Sequence, residues 1–265
     1  MPVYWFSLSF IDNINVTRAI LVFCILHLLV YPSSNGYNSY MDRDEEAIGG
    51  IKNPMLPTRQ LYSVTIIMDI IAVVLSLLIS VWFAFAISLY IICSRLYSYR
   101  GIRLKKYPIT GYLVVLLNQG ALTFYMIYFG VGLNELPLPL HGISAAAFLI
   151  GGFYPITQIY QHTSDAKDKI TTISMLLGKK GTMVFCAVMY LIAFALLWHY
   201  YFLHQQVGSF ILLQIFFIPV LVFFVRWAVL IWNDESKADF KHTMQMNWLA
   251  STCTSLAFIT LILQK

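Results

Sequence analysis

Apolar runs separated by short polar breaks divide this chain along its whole length. A short run, Pro2 to Ile11, ends at Asp12-Asn13-Ile14-Asn15, and a second covers about Thr17 to Tyr31 before the polar stretch Ser33 to Glu46. A longer run extends from Leu61 to Cys93. Others cover Tyr112 to Phe129, Ile143 to Ile159, Met183 to Leu203, Phe210 to about Ile231, and Asn247 to Leu263. Several approach the roughly 20 residues that carry an α-helix across a bilayer. Backbone groups in hydrocarbon must be satisfied within the segment, so such runs read as helices, and the short alternating segments of a β-barrel are absent. The pattern predicts an all-α, polytopic transmembrane bundle forming one domain over residues 1–265.

The breaks carry the topology. Of 17 Lys and Arg, all but Arg18 and Lys265 fall in or beside segments 43–59, 95–106, 167–180 and 226–241, whereas the breaks at 12–15, 130–139 and 204–209 hold none. Lys and Arg accumulate in cytoplasmic loops, which places the four basic segments on that side. Two loops on one side need an even number of crossings between them. Leu61 to Cys93 is therefore expected to be two short helices with a tight outer turn near Ser80. Eight full spans result, plus the first run, which is too short to cross. That run reads either as a re-entrant or interfacial segment or as part of an incomplete first span.

Composition agrees. The chain is 59% hydrophobic and 11% charged, against about 45–50% and about 25% in soluble domains. The net charge of +5 then reflects topology and does not imply nucleic-acid binding. Cys24, Cys93, Cys186 and Cys253 form no CxxC pair and read as small apolar residues in the bilayer, without disulfide or zinc. No cleavable signal peptide is apparent, because no positive charge precedes the first apolar stretch.

Three polar segments carry candidate chemistry. In the first, Asn38, Asp42 and Glu46 are spaced i, i+4, i+8 and would share a face of a continuing helix, with Asn35, Tyr31 and His27 near the same stripe and Pro32 a potential kink. An amide and two carboxylates are oxygen ligands suited to a hard cation such as Mg²⁺, which keeps water and substrate phosphate as its other ligands. A solvated helix end with acids balancing neighbouring Arg explains the same residues more simply. In the second, Gln158, Gln161 and Asp165 lie at i, i+3, i+7, and Asp168 extends the row. Lys167 and Lys169 offer plain charge balance there. The third is the loop with Arg100, Arg103, Lys105 and Lys106 before Pro108. Its cations suit phosphate, although topology alone accounts for a basic loop. Within the spans, Asp69, Asn118, Gln119 and His27 are candidates to line a cavity, since polar side chains at membrane depth face cavities or other helices. His141, His199 and His204 read as structural or interfacial.

Three elements in order resemble the UbiA-type intramembrane prenyltransferase family. They are the Asn/Asp-rich end of the second run, the Tyr-Ser and Leu-Lys loop before Pro108, and the Asp segment followed by Thr172-Ile-Ser-Met-Leu-Leu-Gly178. The resemblance covers nearly the whole chain, and the family's nine helices match the layout if the first is incomplete. It implies transfer of a prenyl group from a prenyl diphosphate to a lipophilic or aromatic acceptor, with Mg²⁺ as cofactor. The family's motifs are NDxxDxxxD and DxxxD. By match, Asn38, Asp42 and Glu46 stand in the first, Glu46 where Asp is usual, with Asp44 and Glu45 as fallback ligands. Asp165 stands in the second, Gln161 replaces its leading Asp, and Asp168 compensates. The resemblance thus implies Asp42 and Asp165 as catalytic residues. The metal set is Asn38, Asp42, Glu46, Gln161, Asp165 and Asp168, and Arg103, Lys105 and Asn35 hold the diphosphate.

Two rivals stay open at this stage. A CDP-alcohol phosphotransferase would show DGxxAR, and this chain lacks its Asp-Gly and Ala-Arg parts. A transporter, or a family member that has lost catalysis through Gln161 and Glu46, is the other. Acceptor identity, prenyl length and oligomeric state are not encoded in any motif.

Overall fold

The computed structural model describes residues 2–43, 51–132 and 137–265. The short first run forms α1 (Pro2–Leu8). Eight helices long and apolar enough to cross a membrane follow among the described residues. These are α2 (Val16–Asp42), α3 (Arg59–Ser76), α4 (Val81–Ser98), α5 (Pro108–Val131), α6 (Leu140–Gln158), α8 (Ile173–Leu203), α9 (Val207–Asn233) and α10 (Phe240–Leu263). A short helix, α7 (His162–Lys167), sits between α6 and α8. The expected hairpin is present: α3 ends at Ser76, and Ser80 caps α4 by accepting the Phe83 N–H at 3.1 Å. Several helices overrun their apolar runs, α2 by 11 residues beyond Tyr31 and α8 by 10 before Met183, because capping residues and not hydropathy set where a helix stops.

The first run does not lie on the bundle's surface. Phe6 stacks on Phe258 of α10 with ring centroids 4.5 Å apart, and Ser7 Oγ donates to the Phe124 carbonyl of α5 at 2.8 Å. An interfacial segment would keep one face in water; Tyr4, Phe6, Ser7 and Leu8 are all buried. Its packing inside the bundle replaces the interfacial expectation.

Two spans depart from α geometry in mid-membrane. In α2, residues Ile25–Val30 form a π segment just before Pro32. Proline removes a backbone donor and crowds the preceding turn, and the widened turn accommodates this without breaking the helix. The kink expected at Pro32 takes that form. In α5, Leu116–Leu122 forms a second π segment, closed by Thr123 Oγ1 donating to the Asn118 carbonyl at 2.9 Å. Gly120 lies within it, and a Cβ there would stand 2.6 Å from Ala147 Cα. Helices α5 and α6 therefore cross with their backbones nearly in contact, a packing mode that small residues permit in lipid.

The charged breaks gather at one end of the bundle. The opposite end is tied by Arg18 to the Gly132 carbonyl (3.4 Å) and by Lys265 to Ile11 and Asp12. There His141 and His199 meet ring nitrogen to ring nitrogen at 2.8 Å. The four cysteines are free.

Candidate active site

At the basic end, α2 terminates at Asp42 because Arg43 takes the left-handed conformation (φ 54). The carboxylate of Asp42 is only 4% exposed. Lys105 pairs with its Oδ2, and Arg103 donates to its Oδ1 at 3.2 Å. Arg100 reaches back from the same loop to the Met41 carbonyl (2.6 Å) and the Asp42 carbonyl (3.4 Å), covering orphan acceptors of the helix end. One turn inside, Asn38 Oδ1 accepts from Ser98 Oγ at 2.6 Å and from Lys105 Nζ at 3.4 Å. Arg103 is itself left-handed (φ 49), which aims its guanidinium across the site. There it donates to Asp168 Oδ2 at 2.7 Å, so a single side chain joins the two acidic segments. Partial burial works against its charge, but the hydrogen bonds and charges of Asp168 and Asp42 outweigh this and raise its pKa.

The structure corrects one of the two spacing arguments, and the other runs in part outside the described residues. Asn38 and Asp42 do share a helical face, and the described helix that carries them ends at Asp42. Asp44, Glu45 and Glu46 lie outside the described residues. Gln158, Gln161 and Asp165 do not share one helix: α6 ends at Gln158, Gln161 precedes α7, Asp165 is in its first turn, and Asp168 caps its end. The left-handed Lys169 (φ 56) then turns the chain toward α8. Arg43, Arg103 and Lys169 thus bring strained, non-glycine backbone to one rim, as functional sites often do.

A polar chain unforeseen from the sequence links the segments below this rim. The hydroxyls of Tyr97 (α4) and Tyr154 (α6) hydrogen-bond to each other, and Gln158 Nε2 donates to Tyr154 Oη at 2.8 Å. No motif marks these tyrosines, because their meeting depends on how α4 packs near α6. Gln161 Nε2 donates to Tyr160 Oη at 3.0 Å. The motif ending at Gly178 also acquires a reason. Gly178 has φ 66 and ψ 172, a region open essentially to glycine alone, and it splits α8 near its start. Thr182 Oγ1 bonds the Gly178 carbonyl at 2.7 Å, and Ser174 Oγ meets His162 Nε2 at 2.8 Å, fixing α7 against α8. Burial first, and Lys179 second, hold the His162 pKa below its ordinary value.

Of the four intramembrane candidates, only Gln119 reaches the cavity, which it lines with Asn35. Asp69 instead pairs with Arg95 and accepts from Ser33 Oγ at 2.6 Å, while the Arg95 guanidinium lies 4.0 Å over the Tyr37 ring. This cluster ties α2, α3 and α4 together. Asn118 is buried and donates to the Tyr90 carbonyl at 3.3 Å. His27 is enclosed by rings, stacked on Phe23 at 4.3 Å and edge-on to Tyr4 and Tyr31. The cavity has a volume of about 920 Å³ and extends into the membrane-spanning part of the bundle. Asn35 lies about 10 Å down α2 from Asp42, at about 1.5 Å per residue.

Among the described residues no three His, Cys, Asp or Glu side chains converge on one point. No all-protein metal cage is built among the described residues. The donors that are present (Asn38, Asp42, Gln161, Asp165, Asp168) are all hard oxygens, on two segments joined by Arg103. That set fits Mg²⁺ shared with a phosphate ligand, since Mg²⁺ ordinarily takes one or two carboxylates and completes its shell from water and phosphate.

The fold has clear relatives among solved structures. A digeranylgeranylglyceryl phosphate synthase aligns with a TM-score of 0.66 at 20% identity, over 100% of this chain and 91% of that one. A UbiA homolog from Aeropyrum pernix K1 aligns with a TM-score of 0.73 at 16% identity, over 98% and 95%. A UbiA homolog from Archaeoglobus fulgidus, bound to GPP and Mg²⁺, aligns with a TM-score of 0.66 at 16% identity, over 98% and 94%. No curated protein matches the chain by sequence. The UbiA prenyltransferase family model matches residues 1–250, which sets aside the phosphotransferase and transporter readings. The chain belongs to the UbiA prenyltransferase family and is a multi-pass membrane transferase of prenyl groups.

Proposed function

We propose that the chain binds a prenyl diphosphate at the basic end of the bundle, on the cytoplasmic face, and transfers its prenyl group to a lipophilic acceptor. The observation that carries this is the buried Asp42 held between Arg103 and Lys105, above a cavity of about 920 Å³. The Archaeoglobus relative with GPP and Mg²⁺ supports the substrate class, and the one-sided Lys and Arg distribution supports the orientation.

Asn38, Asp42, Gln161, Asp165 and Asp168 would hold Mg²⁺, which when bound supplies charge neutralisation to the departing diphosphate. Arg103 and Lys105 exchange their hold on Asp42 for phosphate oxygens, Arg through its planar fork and Lys as a point charge. Held in place before reaction, these cations stabilise the negative charge that grows on the leaving group. Arg103 also keeps the two acidic segments in register through Asp168. Asn35 receives the substrate where the diphosphate site opens into the cavity. Tyr31, Tyr90 and Phe153 exclude water from the allylic cation, and their ring faces stabilise it.

The test is release of diphosphate from geranylgeranyl or farnesyl diphosphate by membranes carrying the chain, with and without EDTA. Release that requires Mg²⁺ and is abolished in Asp42→Ala and Asp165→Ala is expected. Undiminished release in either variant would remove that residue from the site, and no release with any acceptor tried would overturn the proposal.

A further inference from the structure

A second hollow lies on the outside of the bundle, a groove of about 1030 Å³ along α10 that shares no lining residue with the inner cavity. Lys241, Gln245, Trp248 and Thr252 line it at i, i+4, i+7 and i+11, which places them on one helical face. Trp248 is 76% exposed there, so the face is turned outward. Lys52, in the segment before α3, joins the lining, and Phe223 of α9 and Leu249 flank the stripe.

Polarity falls with depth along this stripe in the order of a phospholipid's own parts. Lys241 stands in the first turn of α10, at the basic end. The ion pairs of the described residues engage other lysines, so the ammonium groups of Lys52 and Lys241 are open to an anion. Asp239 also lines the groove, but its carboxylate is turned to its own helix. Its Oδ1 accepts the His242 N–H at 2.8 Å, and His242 Nδ1 lies 2.9 Å from each of its oxygens. Gln245 follows about 6 Å deeper, at about 1.5 Å per residue, where an amide suits ester carbonyls. Trp248, Leu249 and Phe223 then offer apolar surface. From Lys241 to Thr252 the stripe is about 16 Å long, close to half of the roughly 30 Å hydrocarbon core, which is one leaflet. A soluble anion or an acidic peptide would use the lysines and leave that apolar length uncovered.

We infer that the groove seats one anionic phospholipid of the leaflet at the basic end. Its phosphate lies at Lys52 and Lys241, its ester region at Gln245 and an acyl chain along Trp248 and Leu249. Basic residues at a membrane face attract anionic headgroups in general; a groove of leaflet depth beneath two of them turns that attraction into a site. The bound lipid braces α10, whose other side carries Asn247 and Ser251 to the inner cavity.

The test uses the full chain in nanodiscs of phosphatidylcholine with a minor share of phosphatidylglycerol of the same chain length. Native mass spectrometry counts the lipids that stay bound. One phosphatidylglycerol per chain is expected, enriched about tenfold or more over its share of the bilayer, since each lysine at the surface favours an anionic headgroup by about fivefold. Lys52→Gln and Lys241→Gln should each lower the enrichment by about fivefold. Lys52→Arg and Lys241→Arg should keep it, which separates loss of charge from loss of folding. Lys180→Gln, at the same end but held over the Trp232 ring outside the groove, should leave it unchanged. No enrichment by the unsubstituted chain would overturn the inference, as would an enrichment that survives both Gln substitutions. An equal loss in Lys180→Gln would overturn it by assigning the attraction to the whole basic surface. Release as a dimer without phosphatidylglycerol would overturn it too, giving the groove to a second copy of the chain.

Discussion

Asp42→Asn should move two measurements in opposite directions. The carboxylate is 4% exposed and is held by Lys105 at one oxygen and by Arg103, 3.2 Å away, at the other. A diphosphate arriving without metal must compete with it for both cations. A hydrogen bond to a charged group contributes about 1.5–3 kcal/mol, and about 1.4 kcal/mol is a factor of ten. Weakening even one of these bonds by making Asp42 a neutral amide should tighten metal-free diphosphate binding by about tenfold. The same change removes a hard anionic ligand from the metal set, so Mg²⁺-dependent turnover should fall by about 10²–10³, the usual cost of losing one preorganised electrostatic group. Calorimetric titration with inorganic diphosphate in EDTA reads the first effect. Diphosphate release from geranylgeranyl diphosphate with Mg²⁺ reads the second. If turnover stays within about threefold of the unsubstituted chain, Asp42 is not a metal ligand. If metal-free affinity is unchanged or falls, Arg103 and Lys105 are structural partners of Asp42 and not the diphosphate's donors.

Three further outcomes follow from the geometry. Asp69→Ala should destabilise the chain by about 3 kcal/mol, because it leaves Arg95 charged between helices; turnover per folded molecule should persist, and a loss of turnover without a drop in melting temperature would contradict the structural role. Gly178→Ala should cost about 1–3 kcal/mol from backbone strain alone, since a Cβ added there would meet nothing within 4 Å; an unchanged melting temperature in detergent would refute that assignment. His162 is held below its ordinary value near 6.5 by burial and then Lys179, so the unfolded chain takes up its proton first on acidification. Its contribution to stability is complete above about 6.5 and is lost as pH falls through the window below that value. His162→Gln should flatten this part of the melting-temperature profile, and an unchanged profile would assign the slope to other groups.

How far the site could be read from the chain differs residue by residue. Asn38, Asp42, Arg103, Lys105 and Asp168 are found as one cluster because each belongs to a polar segment that topology had already sorted to one membrane side. The helical face drawn through Gln161 failed because spacing assumes that a helix continues. The break after Gln158 ended α6 before Gln161, and left-handed residues at Arg43 and Lys169 close α2 and follow α7. None of these positions is a glycine or proline, the two residues that punctuate a sequence most visibly. Asp69 illustrates another limit. Its rarity at membrane depth was plain, but whether it met a cavity or a cation depended on Arg95, one helix away.

The eight spans of the described residues, the hairpin at Ser80 and the gathering of charge at one end were all legible in the chain alone. Each of these is a property summed locally along the chain: apolar length against bilayer thickness, and charge against membrane side. Packing alone settled where helices stop, that Arg103 bridges Asp42 and Asp168, that Tyr97 meets Tyr154, and that Asn35 and Gln119 line a common cavity. Those features are contacts between residues far apart in the chain. They arise from how side chains and close backbone crossings such as Gly120 on Ala147 fit together, which no single segment's composition encodes.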